Sequence, residues 1–197
     1  MPSDNVPQSL REYLNGLVNS AIEDLKVALN EKLEGFIGNL LAKLAAIEPL
    51  LRDSMVVPGA VVLDYACGPG LFTIPAAKIV GNSGHVFAAD VNPLMIKDIL
   101  DYAAREGLEN VTTIETSADT GLESESVDVA LLFDCFNFFS DPFPILTELH
   151  RVLKGEGLLS LAVEHEEIEG AVTTIENTGL FTKVSQDSLH KQVLFQK

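Results

Sequence analysis

The residues best suited to chemistry lie between Val61 and Gly70, in the segment VVLDYACGPG. An apolar run there ends in the carboxylate of Asp64, and a glycine-rich turn with Gly68 and Gly70 follows it. Glycines let the backbone bend sharply and let a ligand come close, while the N-terminus of a following helix presents unpaired N–H donors. This pattern predicts that a cofactor binds at the turn.

A second carboxylate, Asp90, lies 20 residues beyond Gly70, at the end of the next apolar run. At that distance an acidic side chain can accept hydrogen bonds from both hydroxyls of a ribose. A dinucleotide fingerprint would require a small residue where Thr73 stands, and the carboxylate of Asp64 is unexpected beside a pyrophosphate. Both features disfavour NAD or FAD, and with them a nucleotide-dependent oxidoreductase.

The elements that must position these residues are short apolar runs, each closed by Gly, Pro, Asp or Asn and followed by a helical pattern. The five runs are Val61–Asp64, His85–Ala89, Val111–Glu115, Val127–Phe133 and Leu158–Val163. Such continuous apolar strands suit a parallel sheet buried on both faces. A further helix near 166–177 and an antiparallel hairpin over 181–185 and 190–195 complete the prediction. We therefore expect an α/β fold with a doubly wound, seven-stranded, mostly parallel sheet.

Two of the helices have clear boundaries in the sequence. Asn92 can cap a helix that has Pro93 as its first residue and Gly107 just after its end. Pro142 opens a second helix, which we expect Gly155 to terminate.

Residues 8–52 show no strand-like alternation, and their apolar residues recur at three- to five-residue steps, close to the helical period. Two amphipathic helices are expected, with a break near Asn30, Gly35 or Gly38. The predicted organisation is an N-terminal helical segment over 1–54 and a cofactor-binding domain over 55–197. The segment either packs on the domain as scaffold, acts as a lid, or pairs with a second copy in a homodimer.

Composition limits the partners and the cellular location. Thirteen Lys plus Arg against 29 Asp plus Glu give a net charge of −16, which repels nucleic acids and anionic membrane surfaces. The two cysteines, Cys67 and Cys135, are too few for a disulfide framework and predict free thiols. With no signal peptide pattern and no apolar run of about 20 residues, a soluble, cytoplasmic protein is expected.

Several segments together resemble the class I S-adenosylmethionine-dependent methyltransferases, from about Val56 to the C-terminus. The segments are DYACGPG from Asp64, GPGLFTIPAAK from Gly68, HVFAAD from His85 and LHRVLKGEG from Leu149. They are similar to the small-molecule branch of the family, close to quinone-biosynthesis-type enzymes. Ala66 stands where the family has its first motif glycine.

The resemblance implies roles for residues at the methionine and ribose end of the cofactor. Gly68 and Gly70, with Ala66, would line the methionine and ribose parts. Asp64 would bind the ammonium group, directly or through water, and Asp90 would hold the ribose hydroxyls.

The resemblance also assigns the adenine and methyl ends. Val91 would press on the adenine, Asp119 would accept from its amino group, and the N–H of Ala118 would donate to the ring. Phe133 and Asp134 would stand beside the transferable methyl group.

Methyl transfer is an in-line displacement that relies on alignment and exclusion of water, and the Cys and His residues show no zinc-like spacing. Many relatives have a histidine soon after the fourth strand, but Asn137 occupies that place. The candidate catalytic residues are therefore His165, Asn137 and Asp134. His165 either accepts a proton or is a solvated residue at a strand end.

The acceptor side rests on a cluster of Cys135, Phe136, Phe138 and Phe139. The thiol is either a soft nucleophile or a buried inert group, and the rings form either an apolar acceptor pocket or part of the core. The expected function is methyl transfer from S-adenosylmethionine to a small aromatic or apolar molecule. The alternative is a non-enzymatic protein that binds S-adenosylmethionine or S-adenosylhomocysteine, or acts in assembly, with a vestigial acceptor site.

Overall fold

The computed structural model describes residues 18–19, 22–27, 29, 32–33, 45–163, 168–187 and 192–197. The chain divides into two compact units, Met1–Ala45 and Ala46–Lys197. All described residues of the first unit before 45 are helical, and its side chains Leu25 and Leu29 are exposed. The predicted helix breaks lie outside the described residues, and the predicted domain boundary after residue 54 stays a prediction.

The second unit contains five helices and seven strands among its described residues. They are α1 (46–53), β1 (Val61–Tyr65), α2 (Thr73–Val80), β2 (His85–Asp90), α3 (Pro93–Glu106), β3 (Val111–Glu115), β4 (Val127–Phe133), α4 (Phe143–Val152), β5 (Leu153–Ala162), α5 (Ile168–Asn177), β6 (Thr182–Asp187) and β7 (Gln192–Gln196). Short 3₁₀ turns occupy Gly81–Ser83 and Phe136–Phe138.

All seven strands form one sheet in the order β3-β2-β1-β4-β5-β7-β6. β1 to β5 are parallel, whereas β7 pairs antiparallel with both β5 and β6. The predicted fold class and C-terminal hairpin are thereby confirmed. Because the chain runs outward in opposite directions from β1 and β4, a crevice opens at the carboxyl ends of these two strands.

Apolar layers cover both faces of the sheet, as the continuous apolar strands predicted. On one face α4 and α5 pack against the side chains of Leu63 and Leu132. On the other face α1 and α2 pack against Val62 and Leu131, and Leu51 of α1 is fully buried there.

A buried polar cluster attaches the end of α1 to the sheet. The side-chain amide of Gln192 in β7 donates to Ser160 Oγ in β5 at 2.8 Å and to Ser54 Oγ, just after α1, at 2.5 Å. The hydroxyl of Ser54 in turn donates to the carbonyl of Leu50 at 2.7 Å. Since all three polar side chains are buried and hydrogen-bonded, residues 46–54 are part of the sheet domain's packing.

The structure confirms one predicted helix boundary and corrects another. Asn92 Oδ1 accepts from the N–H of Leu94 at 3.0 Å, and Gly107 ends α3 in the left-handed conformation. Gly155 does not terminate α4, which ends at Val152 and passes directly into β5. The fully buried Leu153 pairs with Val127 and draws the chain into the sheet before the glycine is reached.

The segment between β3 and β4 is an exception to the helical pattern expected after each apolar run. Residues 116–126, all of which the structure describes, form a loop. Their sequence, TSADTGLESES, has too few apolar residues to cover the sheet with a helical face. Among the described residues, no helix is long and apolar enough to cross a membrane.

Candidate active site

A cavity of about 550 Å³ opens at the carboxyl ends of β1, β2 and β4. Its lining consists of Tyr65, Ala66, Asp90, Val91, Thr116, Ser117, Asp134, Cys135, Phe138, Phe139, Ser140, Asp141 and Ile145. Seven of the residues predicted from the sequence are therefore brought together here. They are Ala66, Asp90, Val91 and Asp134, and Cys135, Phe138 and Phe139 of the acceptor cluster. Asp64, Gly68, Gly70, Ala118, Asp119, Phe133 and Asn137 are described by the structure but are not part of this lining.

The turn after β1 takes a backbone path that favours glycine. Gly68 and Gly70 have φ values of 51° and 88°, and Ala66 has 58°. A Cβ on Gly70 would lie 2.9 Å from Cγ1 of Ile99, whose side chain is fully buried in α3. Ala66 adopts the left-handed conformation with its Cβ in place, at a cost of about 1 kcal/mol.

Asp90 ties the glycine turn to the start of α3. Its Oδ2 accepts from the N–H of Gly68 at 2.9 Å, and its Oδ1 accepts from the N–H of Asn92 at 2.8 Å. Each carboxylate oxygen has a second lone pair, so acceptor capacity remains for two ligand hydroxyls. The structure thus presents a fixed, partly occupied carboxylate at the edge of the cavity.

Asp64 lies behind the turn, with a residue exposure of only 2%, and does not line the cavity. Its Oδ2 accepts from the hydroxyl of Thr73 at 2.6 Å. Burial, together with the charge of Asp90, raises the pKa of this carboxyl to about 6, although the Thr73 hydrogen bond opposes the change. No lysine, arginine or histidine that the structure describes forms an ion pair with it.

The loop after β3 borders the cavity through Thr116 and Ser117. The N–H of Ala118, predicted to donate to an adenine, donates to Thr116 Oγ1 at 3.2 Å. Asp119 Oδ1 accepts from the N–H of Gly121 at 2.9 Å. Both residues lie next to the lining, and their ligand contacts stay predictions.

Glu148 and Arg151 of α4 hold the loop after β3 in place. The sequence motifs did not predict this role for either residue. One carboxylate oxygen of Glu148 accepts from both the N–H and the hydroxyl of Thr120, and Arg151 donates to Glu148 and to the carbonyl of Leu122. Burial by itself would raise the pKa of Glu148, but the hydrogen bonds from Arg151 and Thr120 outweigh it and lower the pKa to about 2. The three-residue spacing on a helix was the available signal, but it does not reveal the loop as the partner.

The residues after β4 differ sharply in burial. Phe133 is buried, with its ring edge-on to Phe72 at 4.8 Å between centroids, whereas Asp134 is exposed and has a φ of 52°. Cys135 is buried, and burial raises the pKa of its thiol, as it does for Cys67. Both thiols are thus kept protonated, which favours the interpretation of Cys135 as an inert group.

The phenylalanine cluster divides between the core and the cavity. Phe136 is buried in the core. Phe139 packs edge-on against Tyr65 and Phe136, with 6.2 Å between ring centroids in each case, and lines the cavity. Phe138 is 86% exposed at the rim of the cavity. The core interpretation therefore applies to Phe136, and the acceptor-pocket interpretation applies to Phe138 and Phe139.

The catalytic candidates are also separated. Asp134 lines the cavity, and Asn137 is an exposed residue of the 3₁₀ turn beside it. His165 lies outside the described residues. Within the part of the chain that the structure describes, no group of three His, Cys, Asp or Glu side chains is arranged to hold a metal ion.

An open doubly wound sheet, with a glycine turn at the reversal of strand order and an acid after the second strand, defines a protein of the nucleotide-binding α/β class. Residues 57–192 match the family model described as a methyltransferase domain. The chain belongs to this methyltransferase family, which confirms the resemblance drawn from its motifs.

Individual relatives agree with the family. Aklanonic acid methyltransferase DauC of Streptomyces sp. strain C5 is 37% identical over 112 residues, covering 56% of this chain and 51% of that protein. The ubiquinone/menaquinone biosynthesis C-methyltransferase UbiE of Blochmanniella pennsylvanica is 37% identical over 112 residues, covering 54% of this chain and 42% of that protein. The chain thus spans about half the length of these curated relatives.

Among solved structures, a SAM-dependent methyltransferase from Aquifex aeolicus superimposes with a TM-score of 0.69 and 26% identity. The match covers 75% of this chain and 87% of that one. The similarity therefore extends over most of the sheet domain rather than over the glycine turn alone.

Proposed function

We propose that this chain transfers a methyl group from S-adenosylmethionine to a small apolar or aromatic acceptor by in-line displacement. The observation that carries the proposal is the Asp90 carboxylate, held between the N–H groups of Gly68 and Asn92 at the edge of the cavity in a chain of this family. Its remaining acceptor capacity matches the two hydroxyls of a ribose.

Carboxylates near the cavity suit the two positive charges of S-adenosylmethionine, a sulfonium and an ammonium. Asp90 and Asp134 line the cavity, and Asp64 lies just behind the glycine turn without an ion-pair partner among the described residues. A cation close to a poorly solvated carboxylate is favoured much more strongly than one beside a solvated carboxylate. We assign the ammonium to Asp64 and the ribose hydroxyls to Asp90.

When bound, the cofactor supplies an electrophilic methyl group on its sulfonium. The chain's contribution is to align the acceptor with that group and to exclude water. Asp134, exposed at the cavity wall immediately after β4, is our candidate to accept a proton from the acceptor.

The cavity lining supports an apolar acceptor. Phe138, Phe139, Val91 and Ile145 contribute apolar surface to it, and Phe138 and Val91 are exposed at its rim. By their names, the two relatives above act on aklanonic acid and in ubiquinone and menaquinone biosynthesis. A small organic acceptor with an apolar ring or chain fits both the lining and these relatives.

Calorimetric titration with S-adenosylhomocysteine tests the proposal. The wild type should bind, and the Asp90→Asn variant should bind roughly 10- to 150-fold more weakly, because charge-assisted hydrogen bonds contribute about 1.5 to 3 kcal/mol. Asp98→Asn, an exposed acid on α3, is the matched control and should bind like the wild type. Equal affinity for Asp90→Asn would refute the ribose assignment, and no binding by the wild type would refute the proposal.

Release of S-adenosylhomocysteine in the presence of a panel of small aromatic acceptors then tests turnover. Binding without turnover across such a panel would favour the non-enzymatic alternative, which the replacement of the family's histidine by Asn137 suggests.

We also propose that the N-terminal segment pairs with a second copy of the chain. Leu25 and Leu29, one helical turn apart, are 70% and 64% exposed. Light scattering should give twice the 21.3 kDa chain mass for the wild type and the single mass for the Leu25→Glu/Leu29→Glu variant. A monomeric wild type would contradict the proposal.

A further inference from the structure

Tyr65, the last residue of β1, has a buried hydroxyl without a hydrogen-bond partner. In the part of the chain that the structure describes, it is the one buried side-chain oxygen or nitrogen in this condition. Leaving such a group unpaired is unfavourable, and native proteins do so rarely, so the hydroxyl calls for an explanation. Neither the motif spacing nor the family resemblance marks Tyr65 as a functional residue.

The ring of Tyr65 belongs to the wall of the cavity. It is 4% exposed, lines the cavity, and packs edge-on against Phe139, also part of the lining. Burial, with smaller contributions from the charges of Glu148 and Asp90, raises the pKa of Tyr65 to about 12. The hydroxyl therefore stays protonated and can act as a hydrogen-bond donor throughout the neutral range.

Neighbouring polar groups are already engaged with one another. Glu148 accepts from Thr120 and Arg151, and the Cys135 thiol donates to the backbone carbonyl of Tyr65 at 3.7 Å. None of these groups pairs with the phenol, and an acceptor atom on a bound molecule would satisfy it.

The position of Tyr65 indicates which part of that molecule it meets. Tyr65 lines the cavity together with Asp90, to which the ribose hydroxyls are assigned above, and with Ser117 of the loop after β3. Beyond the ribose, the base of a nucleoside would extend from Asp90 toward Val91 and Ser117.

We infer that the Tyr65 hydroxyl donates a hydrogen bond to a ring nitrogen of the bound adenine. This inference rests on the proposed function, because it takes S-adenosylmethionine as the ligand. Since the hydroxyl has almost no exposed surface, the inference requires the cavity wall around Tyr65, of which the Phe139 ring is a part, to move when the base binds. Tyr65 is thus a cofactor-binding residue, and it makes the adenine end of the cavity selective for a base with an acceptor nitrogen.

The test compares Tyr65→Phe with Tyr102→Phe, which removes the hydroxyl of a 48% exposed tyrosine on α3. The melting temperature of each protein is measured without ligand, and the dissociation constants for S-adenosylhomocysteine and for adenosine are measured by calorimetry. Without ligand, Tyr65→Phe should melt roughly 3 to 8 °C higher, because an unpaired buried hydroxyl has been removed. With ligand, it should bind both compounds about 3- to 10-fold more weakly, the effect of one lost hydrogen bond.

Tyr102→Phe should match the wild type in both measurements. Unchanged affinity of Tyr65→Phe for S-adenosylhomocysteine, whatever its melting temperature, would overturn the inference and leave the proposed function intact. A loss seen with S-adenosylhomocysteine but not with adenosine would also overturn it, since the contact would then lie outside the nucleoside. Failure of the wild type to bind either compound would instead refute the proposed function.

Discussion

The substitution Asp64→Asn separates what the buried carboxyl contributes to stability from what it contributes to binding. Its pKa is raised from 3.8 to about 6 in the folded chain. A carboxyl whose pKa is raised on folding has its full stability below the unfolded pKa, and that stability is lost as pH rises through the folded pKa. A shift of about two units corresponds to about 3 kcal/mol, and it applies with little discount because Asp64 is 2% exposed.

Asparagine has the shape of aspartate but no charge. The difference in unfolding free energy between the variant and the wild type should therefore follow the pH dependence that the Asp64 carboxyl gives to the wild type. The difference should move in favour of the variant by about 3 kcal/mol between pH 4 and pH 8, with the change centred between pH 4 and 6. Urea denaturation at intervals of half a pH unit measures it, and Asp98→Asn gives the reference for an exposed carboxylate. A difference independent of pH would refute the reasoning, since burial would then not penalise the charged form.

Ionisation of the Asp64 carboxyl should also be detectable as proton release when the ligand binds. An ammonium group near Asp64 favours the ionised form, so binding of S-adenosylhomocysteine at pH 6 should release up to about half a proton from the wild type. Calorimetry in buffers of different ionisation enthalpy measures this release. The Asp64→Asn variant should release none and bind more weakly, so the substitution should stabilise the fold while weakening the complex. Equal proton release by both proteins would show that Asp64 does not sense the ligand.

Three further predictions concern the loop anchor, the glycine turn and the cavity rim. The pKa of Glu148 is lowered to about 2 in the folded chain, so its ionised carboxylate stabilises the fold above the unfolded pKa near 4.5, and this stabilisation is lost as the pH falls toward 2. Glu148→Gln should therefore lower the free energy of unfolding by about 2 to 3 kcal/mol at pH 7, as measured by urea denaturation. The difference between the variant and the wild type should be smaller at pH 3. Gly70→Ala should lower the free energy of unfolding by about 1 to 3 kcal/mol more than Gly107→Ala does. Both glycines have positive φ, but of the two only Gly70 has a buried neighbour, Ile99 of α3, within 3 Å of an added Cβ. Equal losses of stability in the two variants would rule out a clash between the added Cβ and Ile99. The sequence contains no tryptophan, so Phe138→Trp places a single fluorescent reporter at the rim of the cavity. Binding of cyclohexanol, a non-fluorescent apolar ring compound, should shift the emission of this tryptophan to shorter wavelength. The Phe143→Trp variant, whose reporter lies outside the cavity lining, should not respond.

Much of the fold could be predicted because it depends on local chemistry. The apolar runs that became β1 to β5 are continuous, since both faces of the sheet are covered, and Asn92 and Gly107 mark the ends of α3 through their own backbone preferences. The alternation of strands and helices predicted the parallel direction of β1 to β5, whereas the order of the strands was read from the structure. Where local signals conflicted with long-range burial, as at Gly155, pairing of Leu153 with Val127 prevailed.

At the site, sequence spacing located Asp90, since the carboxyl ends of adjacent parallel strands meet at one edge of the sheet. It could not separate Phe136 from Phe138, because adjacent positions in an irregular turn carry no periodic signal of burial.

The amino-acid sequence by itself determined the sheet, the glycine turn and the placement of acids at the strand ends, because short-range periodicity and turn chemistry encode them. Only the tertiary structure decided that Thr73 holds Asp64, that Glu148 holds the loop after β3, and that the Tyr65 hydroxyl is left without a partner. These features depend on which distant side chains meet in the folded core. Burial in the core raises the pKa of a carboxyl and makes an unpaired hydroxyl unfavourable. No local pattern in the sequence predicts which carboxyl or hydroxyl is buried in this way.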